Sequence, residues 1–194
     1  YETGSRLHFG SDGSPQSDKL APGLGNDWGR HSMTLAFNIV TYTGYGLLLA
    51  ALIGYAGLKN IKTSARQGLI WGVCGFIAVQ LAPAMGLPPE LPGTIAAEIE
   101  PRQMWWLLTI LATSAGLGLI AFGQSYLPLA GVVLIAIPQL IGAPHLDAYY
   151  GVAPPELAAE FSTLSLGTAA AGWAILGYVL AYTLERLETW STPA

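Results

Sequence analysis

His145 and Asp147 stand two residues apart, just past Gly142-Ala143-Pro144. Imidazole and carboxylate are both donors that first-row divalent metals accept. Pro144 halts the apolar run before it, so both side chains are expected to turn toward one vestibule. His31 and Met33 open another apolar run, with Asp27 nearby and His8 upstream. His145, Asp147 and His31 are therefore the candidate metal ligands. Glu90, Glu98, Glu100, Glu156 and Glu160 add carboxylates in the loops. A cleft lined by one sign of charge concentrates counter-ions, here cations. Plainer readings stand beside these. A histidine at the end of an apolar run needs no ligand role, and loop glutamates are ordinarily solvated. Glu98 and Glu160 also suit first helical turns, where the helix dipole favours a carboxylate.

Inside the apolar runs the notable polar groups are Gln80 and Gln139, with Asn38 a third. Gln80 lies near Pro83 and Gln139 beside Pro138. A proline frees a backbone carbonyl that can line a cavity or meet an ion. Gln80 and Gln139 are thus expected to mark a route. An equal alternative is that they bond to each other across two helices. Cys74 and Met85 are soft donors whose ordinary role is packing. No ionisable residue falls clearly in the middle of a run, which argues against proton coupling through an embedded carboxylate. Nucleotide-binding loops, nucleophile–base arrangements and a CxxCH haem site are missing, so no enzymatic activity is expected.

The elements that must hold these residues follow from composition. The chain of 194 residues is 52% hydrophobic and only 10% charged. Soluble domains carry about 25% charged residues, so lipid is the expected solvent. The single cysteine excludes an intramolecular disulfide and a cysteine-cluster metal site. A formal net charge of −4 argues against nucleic acid as a partner. Residues 1–33 read as a polar extramembrane segment. Five apolar runs follow: A at 34–57, B at 67–85, C at 104–122, D at 127–143 and E at 158–184. About 20 apolar residues cross a bilayer core as a helix. A, B, C and E meet that length, while D is short and interrupted by Pro138. The alternating ten-residue segments of a membrane barrel are missing. The expected fold is all-α and polytopic: a transmembrane domain over 34–187 with a tail at 188–194.

Sidedness follows from lysine and arginine. Lys59, Lys62 and Arg66 crowd the A–B loop without an acid, which puts that loop and the C-terminus in the cytoplasm. On that layout the inside holds four Lys/Arg and two acids, the outside four Lys/Arg and ten acids. The bacterial-type inner membrane is the expected location, with residues 1–33 and the B–C and D–E loops outside. Tyr42, Tyr45, Trp105, Trp106, Tyr149, Tyr150, Tyr182 and Trp190 are expected at membrane interfaces.

The two outer loops repeat one outline. Gly86-x-Pro88 matches Gly142-x-Pro144, and Pro88-Pro89-Glu90-Leu91 matches Pro154-Pro155-Glu156-Leu157. Ala96-Ala97-Glu98 matches Ala158-Ala159-Glu160. The returning helices also agree, "TSAGLGLIAFG" with "AAAGWAILGY", and run A carries "TGYGLLLA". Runs B–C and D–E therefore read as repeated helical hairpins. Run A reads as the second half of a third hairpin, with a sixth, N-terminal span missing. The glycines on these helices are expected to serve close helix packing.

"GLIWGVCGFIAVQLAPAMGLPPELPG", followed by "RQMWWLLTILATSAGLGLIAFG" and "IPQLIGAP", resembles the CbtA family, from about residue 1 to 187. That resemblance implies the membrane subunit of a proposed cobalt transporter. It also implies a small one-span partner, CbtB, and a cobalt or nickel ion as the species bound. The family usually begins with one more apolar helix, ending near a Tyr-Glu pair like Tyr1-Glu2. Histidine is frequent in the family just before "LIGAP", where this chain has Gln139, so a ligand there would be weakened or lost. The alternative from a different class is a structural or accessory subunit that packs helices in a larger membrane complex, without transport.

Overall fold

The computed structural model describes residues 28–91, 94–146 and 155–191. Within them five helices follow one another. They are α1 (Trp28–Leu58), α2 (Ala65–Ala84), α3 (Ile99–Phe122), α4 (Leu127–Ile141) and α5 (Pro155–Ser191). Among the described residues there is no strand. α1, α2, α3 and α5 are long and apolar enough to span a membrane. The protein is a polytopic helical membrane protein, as runs A to E predict.

The helix limits refine those runs. α1 starts at Trp28, so residues 28–33, expected in the polar segment, already belong to a helix. Residues 1–27 lie outside the described residues. α4 has 15 residues, which at 1.5 Å per residue reach about 22 Å. That is short of a hydrocarbon core of about 30 Å. It ends because Gly142 takes φ 84° and ψ 149°, a region closed to residues with a Cβ. The Gly-x-Pro corner read from the sequence is thus a helix stop. The acids of the first turns are Glu100 in α3 and Glu156 in α5. Glu98, expected there, is instead the residue that caps α3, and its side chain makes no capping bond. Glu160 lies beyond the first turn of α5.

Helix α2 is not regular. Residues Ile77–Leu81 form a π-turn, and the Ala82 N–H donates to the Ile77 carbonyl five residues back. The cause is local. Pro83 has no N–H, so the carbonyl of Val79 loses its α-helical donor, and the helix widens by one residue per turn to continue.

Packing is set by small residues. α2 runs antiparallel to α5, with Gly68 against Gly177 and Ala181, and Gly72 against the Trp173 carbonyl. Gly75 lies under the Trp173 indole. α3 runs antiparallel to α4, joined at Gly116 and Gly131. α1 lies parallel to α5, with Tyr45 stacked on Trp173 at 4.7 Å between centroids. Backbones that touch gain dispersion contacts that lipid tails cannot replace. The tightest pairs are therefore α2 with α5 and α3 with α4. The predicted hairpins B–C and D–E are looser: α2 meets α3 through its π-turn and last turn, and α4 does not pack on α5.

The two ends of the bundle are tied differently. At the lysine-bearing end Ser64 and Gln67 form a reciprocal capping box at the start of α2. There the Ala65 N–H donates to Glu185 of α5 at 3.1 Å. At the proline-rich end Arg102 pairs with Glu90 at 3.0 Å, and the Ser162 hydroxyl donates to the Pro89 carbonyl at 2.7 Å. These bonds fasten the loop after α2 to the starts of α3 and α5.

Candidate functional site

The sequence-predicted residues separate into three groups. Gln80 sits in the π-turn and lines an open cavity of about 440 Å³ between α1, α2 and α5. Asn38, Thr41, Tyr42 and Tyr45 of α1 line it with Ser165 and Thr168 of α5. Phe161, Leu164 and Ala169 complete the wall. Among the described residues this lining has no Lys, Arg, Asp, Glu or His. It is uncharged and mostly apolar, with amide and hydroxyl groups set into it.

The local fold explains why these groups gather along one groove, with Asn38, Leu164 and Thr168 exposed at its rim. Trp173 is 3% exposed and wedges between Gly75 and the Tyr45 ring. Its bulk spaces α1 from α2. The Tyr42 hydroxyl lies against Gly172, where a Cβ would come within 2.6 Å of it. Asn38 donates its Nδ2 to the Thr34 carbonyl at 2.9 Å, which leaves its Oδ1 as a free acceptor. Tyr42 and Tyr45, expected at a membrane interface, thus belong to the cavity, and their rings meet edge to face at 5.8 Å.

Gln139 is placed elsewhere. Its Nε2 donates to the Ala82 carbonyl at 2.9 Å, so it bonds backbone next to Pro83. The alternative pairing of Gln80 with Gln139 does not form. Trp105 also departs from the interfacial expectation. It is 6% exposed, and its Nε1 donates to the Pro138 carbonyl at 3.0 Å. A Cβ on Gly86 would lie 2.7 Å from both Ala143 and the Trp105 ring. The two Gly-x-Pro corners of the sequence repeat therefore pack on each other over Trp105. The sequence signal for this was the repeat itself, read there as two separate caps. Removing the Gln139 bond by Gln139→Leu is expected to lower stability by about 1 kcal/mol, measured by detergent-titrated unfolding. A larger loss would mean that the amide holds more than one carbonyl.

Neither His145 nor His31 lines the cavity. His145 is exposed in the stretch that follows α4. Asp147, its proposed companion, lies outside the described residues, as do His8 and Asp27. His31 is near the start of α1, its ring edge-on to Trp28 at 6.3 Å. Among the described residues no three His, Cys, Asp or Glu side chains come together as a metal site would require. Cys74 is half-buried in α2 and Met85 is exposed.

Fold and cavity together define a helical membrane protein with an open, uncharged groove between its spans, into which one amide of α2 and several hydroxyls of α1 and α5 are set. The chain belongs to the CbtA family: the family model described as "Probable cobalt transporter subunit (CbtA)" matches residues 1–185. Comparison with curated proteins and with solved structures gave no match.

Proposed function

We propose that this chain is the membrane subunit of a transporter for a divalent metal ion, cobalt being the first candidate. The proline-rich end faces outside and the lysine-bearing end faces the cytoplasm of an inner-membrane protein. Glu90, Glu98, Glu100, Glu156 and Glu160 gather cations there, and His145, Asp147 and His31 capture one. The ion then passes Gln80, between α1, α2 and α5. A small one-span subunit of the CbtB type completes the transporter. The observation that carries this reading is the open groove at Gln80, where uncharged amide and hydroxyl groups meet among apolar spans. Polar groups within a membrane are costly unless they face an aqueous or substrate path. Gln139 supports the wall of that path by holding the backbone beside Pro83.

The test is cobalt uptake by cells. Deleting the gene should lower uptake, and the wild-type gene should restore it. Gln80→Leu at equal membrane abundance should restore about tenfold less. That is the effect of losing one hydrogen bond to a charged species, roughly 1.5 kcal/mol or more. Uptake unchanged by deletion would instead favour the accessory-subunit reading.

A further inference from the structure

We infer that the ion, released from its outer ligands and rehydrated, passes the Gln80 cavity with a full first shell of water. The inference rests on the transport reading above and concerns the form of the cargo. Three observations lead to it, namely the donor set, the size of the open groove and the direction of its hydrogen-bonding groups.

A divalent first-row metal gives up its water only to donors that replace it, such as imidazole, thiolate or carboxylate. The described lining has none of these. Neutral amide and hydroxyl oxygens in a low-dielectric region do not repay the desolvation of a bare dication. They are well suited to a hydrated one. Water bound to a cation points its hydrogens outward, so an aquo ion presents donors and needs acceptors around it. Asn38 has its nitrogen tied to Thr34 and its oxygen left to accept. Gln80 makes no bond within the described protein, so its amide oxygen is available to a guest. The hydroxyls of Thr41, Ser165 and Thr168 accept as readily as they donate. Hydrogen bonds from metal-bound water are charge-assisted and so stronger than neutral ones.

The volume agrees. Six waters take about 180 Å³ at their liquid share of about 30 Å³ each. The cavity measures about 440 Å³, enough for an octahedral aquo ion and part of a second shell.

Hexaamminecobalt(III) tests this directly. It is octahedral, close in size to an aquo ion, presents N–H donors outward, and does not exchange its ligands. Membrane vesicles holding the complete transporter would be assayed for cobalt(II) uptake with and without it. Competition is expected. The double variant Asn38→Leu/Gln80→Leu should lose about tenfold in sensitivity to the complex, whereas Gly118→Ala/Gly167→Ala, changed where nothing lies within 4 Å, should keep it. Cobalt(II) uptake that is indifferent to the complex would overturn the inference and leave the transport reading intact. Sensitivity that the Asn38→Leu/Gln80→Leu variant retains in full would overturn it also. Vesicles in which the protein supports no cobalt(II) uptake would remove both readings together.

Discussion

Gly72→Val is expected to prevent α2 and α5 from closing on each other. A Cβ at residue 72 would collide with the Trp173 carbonyl, and its neighbours on the partner helix are Trp173 and Ala174 backbone atoms. Backbone cannot rotate away as a side chain can. Gly177 meets Gly68 and Gly72 from the opposite side, also through backbone. Relief therefore requires the two helices to separate along the whole crossing. Overpacking in a dense core costs about 1–3 kcal/mol when side chains can shift. Here the loss should exceed the upper end, about 3 kcal/mol, and the yield of monodisperse protein should collapse. The comparison is Gly118→Ala and Gly167→Ala, where nothing lies within 4 Å. Those should be neutral or slightly stabilising, because alanine is the better helix former by about 1 kcal/mol. Unfolding by titration with a denaturing detergent in mixed micelles separates the cases. A folded, wild-type-like Gly72→Val protein would mean that the α2–α5 crossing is wider than described.

Trp105→Ala is the second large effect. The indole fills the space between α3, the end of α4 and the Gly86 corner, and its Nε1 holds the Pro138 carbonyl. Truncation leaves a cavity and removes a buried donor at once. Large aromatic truncations cost about 3–5 kcal/mol. Trp105→Phe keeps most of the volume and loses only the bond, for about 1–2 kcal/mol. The same titration gives both values. Limited proteolysis of the loop after α2 should rise sharply for Trp105→Ala alone. Equal losses for the two variants would assign the whole effect to the hydrogen bond.

The spans were legible because lipid demands a simple code: long apolar runs, few charges, and helices as the only self-satisfied backbone. Gly68, Gly72 and Gly116 announced close packing for the same reason, whereas Gly44, Gly118 and Gly167, expected to do likewise, meet nothing within 4 Å. Their partners were not legible. A small residue says that some backbone approaches, and both α2–α5 and α2–α3 pairings satisfy that statement equally. Gln80 and Gln139 looked equivalent, each a lone amide near a proline. Only the π-turn and the fold of α4 separate them, turning one amide into the cavity and the other onto Ala82. Tyr42 and Tyr45 read as interfacial because a tyrosine in an apolar run has two homes, the membrane surface or a polar interior. The choice depends on neighbours from other helices. His145 is exposed after α4, and Asp147 lies outside the described residues.

The π-turn in α2 has a consequence in phase. Each residue of an α-helix advances the side chains by roughly 100°, and a wide turn holds one residue more than its neighbours do. The helix above Ile77–Leu81 is therefore rotated, by about one residue's step, relative to where an unbroken helix would carry it. Below the turn the small face of α2, at Gly68 and Gly72, serves α5. Above it the helix serves α3, and Ala82 offers its carbonyl to Gln139 on α4. One helix thus presents two differently aimed edges, and the two tight pairs of the bundle are coupled through a single screw offset. Gln80 stands on that offset, so the aim of its amide is set jointly by both pairs.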